Sequence, residues 1–524
     1  FSCNPQQTAE LFNKHFARIS QPCSSLPHDR CSLSRTVSAS AFLPKLSADD
    51  LERLIFSFKR KKPPGLDGIA VSLLQRNYGA LQNILLSILN GFLETAAIPS
   101  MLKTAIVRPI HKGGKKEILD NYRPISVLPI LSQILEKFML ECMTSFLKKF
   151  SILSDRQFGF IEGRGTISLL EEFADELYTA FDHNLFACCL FIDIAKAFDT
   201  VNHEILLQKL YLLGFRGPFH DLLKSYLHDR SQVVALDNTT AVSSRQMLRA
   251  GVPQGSVLSP LLFNLFINDF ASVITNSLVF QYADDTVLLT KHISYKTAVS
   301  ILQENICNAM HWFSLNGLLL NHQKTKLVCF RNPLKTTVLT DSVFLHCHNV
   351  NDCHCAPVEN VHCIKYLGVY FDSDLSWHSH MAYICTRLRS TAWLLFTVKS
   401  FLPVSVKKTI MHALAYSVIR YGITVFAHCS QRWQDRVDAL LKSMLKSTAY
   451  EHSFPPHVNL FNFLALPSFQ SLYKQTVVLR HFWNPAFKTK SAATRTLRKC
   501  QRYTVLKYST RYGKARRGVY VPEI

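Results

Sequence analysis

Two adjacent aspartates, Asp284 and Asp285, interrupt a run whose other residues are typical of β-strands (FQYADDTV, 280–287). Burying a carboxylate is costly unless it is paired or bound to a metal ion. Neighbouring residues of one strand point to opposite faces, so both side chains can face one site only if the chain turns between them. The sequence therefore predicts a hairpin with the two aspartates at its tip. An ordinary turn is the alternative, because Asp favours turns.

A third aspartate, Asp193, lies near the end of an unbroken apolar run (LFACCLFIDI, 185–194), which is typical of a strand buried on both faces. Asp193 could instead cap a helix that follows it. Converging carboxylates are the hard oxygen ligands that Mg²⁺ prefers. Phosphoryl transfer to a sugar hydroxyl uses two such ions roughly 3.5–4 Å apart. The three aspartates are therefore candidate ligands of a two-metal site.

The charge of the chain favours a polyanionic partner. Its 524 residues include 59 Lys and Arg against 37 Asp and Glu, a net charge of +22. Proteins with such an excess of basic residues most often bind nucleic acid. The alternative is a basic protein that has no polyanionic partner. The segment 488–517 has many Lys and Arg, interleaved tyrosines and no acidic residue, which favours contact with RNA or DNA over a solvated tail.

Length and composition set the remaining limits. A chain of 524 residues suits two to four domains. No stretch of about 20 residues is uncharged and apolar, so no membrane span is predicted. The 15 cysteines lack a regular framework and are expected to be reduced and intracellular. The chain begins without Met or a leader, and we expect it to be a fragment of a longer protein.

Three motifs in order resemble the palm motifs of reverse transcriptases: FIDIAKAFDTV (191–201), GVPQGSVLSPLLFNLFIND (251–269) and YADD (282–285). The amino-acid sequences of these motifs are similar to those of reverse transcriptases from non-LTR (LINE-type), jockey-like retrotransposons. Flanking stretches such as KPPGLDGI, RQFGFIEGRGT and KYLGVYFDSDLSWHSH agree, so that the resemblance spans roughly 46–450.

The resemblance implies an α/β (α+β) fold, a right-hand polymerase with fingers, a palm built on an antiparallel sheet packed on helices, and a helical thumb. The implied regions are an N-terminal segment and linker (1–45), fingers (46–180), palm with the catalytic motifs (181–335), palm end, hairpin and thumb (336–450), and a basic C-terminal region (451–524).

The resemblance also assigns roles to the motif residues. The implied ligands of two Mg²⁺ ions, with Mn²⁺ as a possible substitute, are Asp193, Asp284, Asp285 and the carbonyl of Ile194. Phe198 occupies the position of a sugar gate, whose ring leaves no room for a 2′-hydroxyl. Asp199 and Asn202 are expected to be structural partners in the same turn.

Further residues are implied to handle the incoming dNTP. Gln254 and Gly255 match the turn beside the nucleotide and the templating base. Lys112 and Arg123 match residues that grip the triphosphate, for which the planar fork of Arg is well suited. Lys324 matches the lysine that protonates departing pyrophosphate, with Lys326 as the alternative.

Other patterns carry weaker expectations. Tyr366–Gly368 resembles a primer-supporting turn, and Gly163–Gly165 a loop near the template. The His and Cys residues of 346–355, with His362 and Cys363, offer soft ligands, but their spacing is not that of a usual zinc site.

The implied function is RNA-directed DNA synthesis from a DNA primer on an RNA template, by target-primed copying at nicked chromosomal DNA. The nick would be made by an endonuclease domain upstream in the full-length protein, and the protein would act as a ribonucleoprotein in nucleus and cytoplasm. Two alternatives stay open. One is another polymerase on the same palm, such as a group II intron-type reverse transcriptase or an RNA-dependent RNA polymerase. The other is an inactive or domesticated relative that only binds RNA.

Overall fold

The computed structural model describes residues 4–20, 36–237, 239–335, 339, 341–345, 356–450 and 458–481. The His/Cys run at 346–355 and the basic segment 488–517 lie outside the described residues. Within these ranges, no helix combines the length and apolar character needed to cross a membrane.

The helices of the described chain are α1 (Pro5–Ile19), α2 (Ala48–Phe56), α3 (Val71–Arg76), α4 (Tyr78–Thr95), α5 (Ile130–Lys149), α6 (Thr166–Asp182), α7 (His203–Leu212), α8 (Pro218–Leu227), α9 (Ser259–Phe266), α10 (Tyr295–Leu315), α11 (His378–Thr397), α12 (Val404–Ile410), α13 (Ser417–Arg420), α14 (Ile423–Phe426), α15 (Gln431–Thr448), α16 (Leu460–Phe463) and α17 (Phe469–His481). A π-helical turn, Met411–Tyr416, joins α12 to α13.

The strands are β1 (Thr104–His111), β2 (Tyr122–Val127), β3 (Phe186–Ile192), β4 (Arg230–Val234), β5 (Gln246–Leu248), β6 (Leu278–Tyr282), β7 (Asp285–His292), β8 (Lys326–Phe330), β9 (Cys363–Tyr366) and β10 (Val369–Asp372). They form sheet A, in the order β2-β1-β4-β5, sheet B, in the order β6-β7-β3-β8, and a hairpin of β9 and β10.

Sheet B is antiparallel throughout and has β3 near its centre. Every residue of β3 is buried. Cys188, Leu190 and Ile192 belong to one hydrophobic core, whereas Cys189 and Phe191 belong to a second core on the opposite face. Because side chains alternate along a strand, two covered faces require an unbroken apolar run. The predicted doubly buried strand and the predicted antiparallel sheet are confirmed.

Sheet A joins segments that are far apart in the sequence. β1 pairs with β2 antiparallel and with β4 parallel. The sheet therefore draws on both the predicted fingers range and the predicted palm range, and the boundary at 180 and 181 does not separate the two sheets. Helix α1 covers one face of sheet A, where Phe12 and Phe16 pack with Val107 and Val234.

The C-terminal part of the described chain is mainly helical. The β9–β10 hairpin leads into α11, and residues of α11, α15 and α17 share the second hydrophobic core with α6. Trp377 is fully buried there and donates from Nε1 to Tyr178 Oη at 3.0 Å. This core fixes the helical region against the face of sheet B that lies opposite α10.

Candidate active site

The paired aspartates lie at the tip of the β6–β7 hairpin. The strands pair from Leu278 with Leu289 to Tyr282 with Asp285, which leaves a two-residue turn of Ala283 and Asp284. Ala283 has a φ of +52°, in the left-handed region that a residue with a Cβ rarely adopts. The predicted hairpin is confirmed, and its tip has a backbone conformation that surrounding contacts must hold.

Asp193 lies at the same end of sheet B. The ladder between β3 and β7 ends at the pair Ile192 and Thr286, so Asp193 and Asp285 are the next residue on each strand. Burial raises the pKa of Asp284, and the charge of Asp193 raises it further. Part of Asp285 is exposed to solvent. Burial of the rest of its carboxyl environment nevertheless raises the pKa of Asp285 to about 6, and repulsion from Asp284 and Asp193 adds to the effect. The structure thus brings three mutually repelling carboxylates together.

The chemistry of these groups fits a divalent cation, because they are hard oxygen donors whose negative charges repel one another. The carbonyl of Ile194 is the further oxygen ligand that the sequence predicts. Ile194 bridges to Leu320, but the hydrogen bonds of that bridge run from Ala195 N to Leu319 O and from Asn321 N to Asp193 O. They leave the carbonyl of Ile194 outside the bridge. Across the described ranges, no three or more His, Cys, Asp or Glu side chains form a ready-made metal cluster. The three aspartates therefore lie close enough to repel one another, but not in the arrangement of a metal-bound set.

Lys324 reaches Asp193 from a tight turn. Thr325 is fully buried and its hydroxyl accepts from Asp193 N at 3.4 Å, while Asn321 Oδ1 accepts from Lys324 N at 3.3 Å. These contacts hold the turn against the end of β3 and bring Lys324 Nζ to 3.8 Å from Asp193 Oδ2. Lys326, the predicted alternative, pairs instead with Glu359.

Sheet A contributes cations to the same region. Arg123 lies on β2 opposite Ile110, and Lys112 follows β1, with its backbone N donating to Asn121 O at 2.8 Å. Burial lowers the pKa of Lys112, and the neighbouring charges of Arg123 and Lys324 lower it further. The structure therefore brings Lys112 and Arg123, predicted to grip the triphosphate, within electrostatic range of Lys324, the predicted proton donor.

The turn that carries Gln254 links the two sheets. Gln254 Nε2 donates to both carboxylate oxygens of Asp199, at 2.9 and 2.8 Å. Gln254 O accepts from Ser126 N, on β2 of sheet A, at 2.7 Å. Gly255 has a φ of +117°, and a Cβ there would meet Ser126 O at 2.6 Å. Any side chain at position 255 would therefore force the turn away from β2.

Burial raises the pKa of Asp199 to about 6, although the hydrogen bond from Gln254 and the charge of Lys112 act in the opposite direction. Asp199 therefore also acts outside its own turn, because it orients the side-chain amide of Gln254, which is predicted to contact the nucleotide. Asn202, by contrast, caps α7 by accepting from Glu204 N and Ile205 N, which is a structural role.

The ring of Phe198 stacks on Phe263 of α9, with centroids 4.6 Å apart. It remains partly exposed at the edge of the first core. Phe198 therefore packs against the core through Phe263 and keeps part of its ring accessible to solvent.

Other predicted residues lie around this centre. Leu367 and Gly368 form the tight turn between β9 and β10, both with positive φ. Arg164 donates to Asp155 O and Gln157 O, so its guanidinium holds its own loop together.

Sequence reasoning missed a buried polar network behind the Gln254 turn. Glu136, on α5, accepts from Ser256 Oγ at 3.0 Å, from Val257 N at 2.8 Å and from Tyr226 Oη at 3.1 Å. Burial raises the pKa of Glu136. The available signal was the presence of two charged residues, Glu136 and Lys137, in a mainly apolar helical stretch (ILSQILEKFML, 130–140).

Comparison with known proteins gives a family match over the same region. A family model described as "Reverse transcriptase (RNA-dependent DNA polymerase)" matches residues 110–371, which is half of the 524-residue chain. The matched range includes sheet B, the strands β2, β4 and β5 of sheet A, and the three carboxylates, whereas most of β1 precedes it.

Curated relatives agree with this match. The chain is 29% identical over 432 residues to "Probable RNA-directed DNA polymerase from transposon BS" of Drosophila melanogaster, covering 79% of this chain and 46% of that protein. It is 28% identical over 460 residues to "RNA-directed DNA polymerase from mobile element jockey" of the same species, covering 84% and 48%. A Pol polyprotein from the type-1 retrotransposable element R2 of Popillia japonica is 24% identical over 339 residues, covering 61% and 44%. The chain spans about half the length of the curated relatives it matches.

Proposed function

This chain belongs to the reverse transcriptase family, in the branch carried by non-LTR retrotransposons, and we propose that it is an RNA-directed DNA polymerase. In this proposal it extends the 3′-hydroxyl of a DNA primer with deoxynucleotides on an RNA template. The observation that supports the proposal most strongly is that carboxylates and basic side chains lie in the same region of the structure. Asp193, Asp284 and Asp285 lie at one end of sheet B, and Lys112 and Arg123 of sheet A interact electrostatically with the same region.

The reaction forms a bond between the primer 3′-oxygen and the α-phosphorus of a dNTP and breaks the bond to the β-phosphate oxygen. Asp193, Asp284, Asp285 and the carbonyl of Ile194 would hold two divalent ions, Mg²⁺ or Mn²⁺. When bound, such ions activate the attacking hydroxyl and stabilise the departing pyrophosphate. Burial raises the pKa of Asp284 and of Asp285, and repulsion between the carboxylates adds to the effect. These shifts support the assignment, because a bound cation would stabilise the ionised carboxylates.

The cations would act on the triphosphate. Arg123 can donate two parallel hydrogen bonds to phosphate oxygens, and Lys112 adds a point charge beside it. Lys324, whose Nζ lies 3.8 Å from Asp193 Oδ2, would donate a proton to pyrophosphate as it leaves. Lys326 is less suited to this role because it pairs with Glu359.

The remaining contacts would select the nucleotide. Phe198, supported from behind by Phe263, would lie under the sugar and exclude a 2′-hydroxyl. Gln254, held by both oxygens of Asp199, would contact the incoming nucleotide. Target-primed copying, with the nick made by an endonuclease elsewhere in a longer protein, is the biological setting we propose.

A primer-extension assay tests the proposal. The chain is incubated with poly(rA)/oligo(dT), dTTP and Mg²⁺, and the wild type is compared with Asp284→Ala. We expect the wild type to extend the primer and the variant to be inactive. Extension by neither protein, together with retained RNA binding, would favour the alternative of a non-enzymatic RNA-binding protein. Equal extension by both would remove the assigned carboxylates from the mechanism.

A further inference from the structure

The hairpin that carries Asp284 and Asp285 is supported by a short segment from a distant part of the chain, residues 156–159 (RQFG). Gln157 forms a parallel β-bridge with Gln281 of β6. Phe158 N donates to Gln281 O at 2.8 Å, and Gln281 N donates to Arg156 O at 3.0 Å. The segment therefore extends sheet B by one short strand on the open edge of β6.

The side chain of Gln157 reaches past this bridge to the tip of the hairpin. Gln157 is only 2% exposed. Its Oε1 accepts from Ala283 N at 3.0 Å and from Gly159 N at 2.8 Å. Ala283 is the turn residue with a φ of +52°. Without this acceptor, two buried N–H groups would lose their partner, one of them at the residue whose backbone conformation is least favourable.

Gly159 completes the support. A Cβ at this position would lie 2.5 Å from Ala283 N, so the segment can lie this close to the tip only because residue 159 has no side chain. The carbonyl of Gly159 accepts from Asn264 Nδ2 at 2.7 Å, and Asn264 is buried on α9. The supporting segment is thus itself fixed to the helix that follows the Gln254 turn.

We propose that Gln157 is a positioning residue for the metal-binding turn. By holding the Ala283 amide, it sets where Asp284 and Asp285 lie relative to Asp193 and so sets the affinity of the three carboxylates for divalent ions. Gln157 itself touches neither the reacting atoms nor an ion. This inference rests on the proposed function, because it concerns the geometry of the proposed metal site.

The test compares Gln157→Met, which keeps the length and apolar volume of the side chain but removes the acceptor, with Gln157→Glu, which keeps an acceptor. In metal-free protein we expect the Ala283 amide of Gln157→Met to exchange its hydrogen about tenfold faster than in the wild type. The Mg²⁺ concentration for half-maximal primer extension should rise about tenfold or more, as is usual when a supporting partner of a metal ligand is lost. The KM for dTTP should stay within about twofold. Gln157→Glu should recover part of both losses.

Gln281→Met is the matched control. Gln281 is as buried as Gln157 and pairs with it in the β-bridge. The Ala283 amide, however, donates to the side chain of Gln157 and not to that of Gln281. Gln281→Met should therefore keep the wild-type Mg²⁺ requirement. If circular dichroism shows Gln157→Met to be unfolded, Gln157→Asn replaces it, because its amide is one methylene too short to reach Ala283.

Wild-type Mg²⁺ dependence in folded Gln157→Met, or an equal defect in Gln281→Met, would overturn the inference. If the wild type extends no primer, the proposed function fails instead. The role of Gln157 is then tested by measuring amide exchange in Gln157→Met and, by calorimetry, Mn²⁺ binding to the metal-free variant. Unchanged exchange and unchanged binding in the variant would overturn the role of Gln157 on their own.

Discussion

The adjoining ends of sheet B and sheet A hold opposite charges in different ways. Sheet B presents carboxylates on short side chains, next to a strand that is buried on both faces. Sheet A presents Lys112 and Arg123 on long, exposed side chains at a hairpin end. Metal ligands must be held within a narrow range of geometry, whereas cations that bind a flexible triphosphate can adjust their rotamers. In the proposed roles, the carboxylates of sheet B therefore depend on the fold for their position, whereas Lys112 and Arg123 depend mainly on their charge.

The two sheets are also joined at one point. Gly255 packs directly on Ser126 of β2, and Gln254 accepts a hydrogen bond from the same residue. Movement of sheet A relative to sheet B would therefore shift the turn that contains Gln254 and change the orientation of this side chain.

Asp284→Asn should affect activity and stability in opposite directions. We expect the rate of primer extension to fall by about 10³-fold, because a group that holds charge-stabilising ions is lost. In metal-free buffer the melting temperature should rise, because one of three repelling carboxylates is neutralised while its shape is kept. Calorimetry and primer extension check the two effects. A fall in both would mean that the carboxylate stabilises the fold and that its repulsion is unimportant.

Lys324→Ala should lower the rate of primer extension by about 10²-fold, the lower range for a lost general acid. Lys326→Ala is the matched control, because that lysine lies two residues away and is engaged with Glu359. It should change the rate by no more than about twofold, as expected of an ion pair whose glutamate is largely exposed. Single-turnover extension measures both. Equal losses in the two variants would argue against proton donation by Lys324.

Arg123→Ala should raise the KM for dNTP by about 10- to 100-fold, the range for lost hydrogen bonds to a charged group. The metal-free melting temperature should stay unchanged, in contrast to Asp284→Asn. Arg108→Ala is the control, since Arg108 lies on the adjacent strand and pairs with Asp237. Steady-state kinetics check the prediction. A large effect of Arg108→Ala on KM would mean that sheet A acts through its stability and not through one cation.

The pH dependence should differ between metal binding and folding. Burial raises the pKa of Asp285 to about 6, so the folded metal-free protein takes up a proton at a pH where the unfolded chain does not. This group therefore adds stability as the pH falls from about 6 towards 4, and the contribution is absent above about pH 7.

Metal binding needs the ionised carboxylate, so the half-maximal Mg²⁺ concentration should rise by up to about tenfold per pH unit below about 6. Asp285→Asn separates this effect from Asp199, whose pKa is also raised to about 6 by burial. A Mg²⁺ requirement that does not change between pH 8 and 5.5 would contradict the assignment of Asp285.

The sequence predicted the local features of the site because they are encoded in short patterns. An unbroken apolar run predicted β3, and two aspartates between β-like runs predicted the hairpin tip. Cross-strand pairing was not encoded in this way. The parallel pairing of β1 with β4 and the packing of α1 on sheet A depend on contacts between distant segments, which hydrophobic periodicity does not report.

The supporting residues were missed for a related reason. Gln157 and Glu136 have no distinctive spacing, and their importance comes from the amides they meet in the folded chain. A buried glutamate in an apolar helical pattern is at least a visible anomaly. The stretch RQFGF contributes to the family resemblance, but nothing in it indicates that the glutamine contacts the hairpin tip, so the structure was needed to identify this contact.

Mn²⁺ binding to the chain with bound primer and template, followed by electron paramagnetic resonance, tests most directly whether the three carboxylates form one metal site. We expect tight binding to the wild type and loss of binding in both Asp193→Asn and Asp284→Asn, although these residues are distant in the sequence. Wild-type binding by Asp193→Asn would contradict this expectation, because the end of β3 would then have no part in holding the ions.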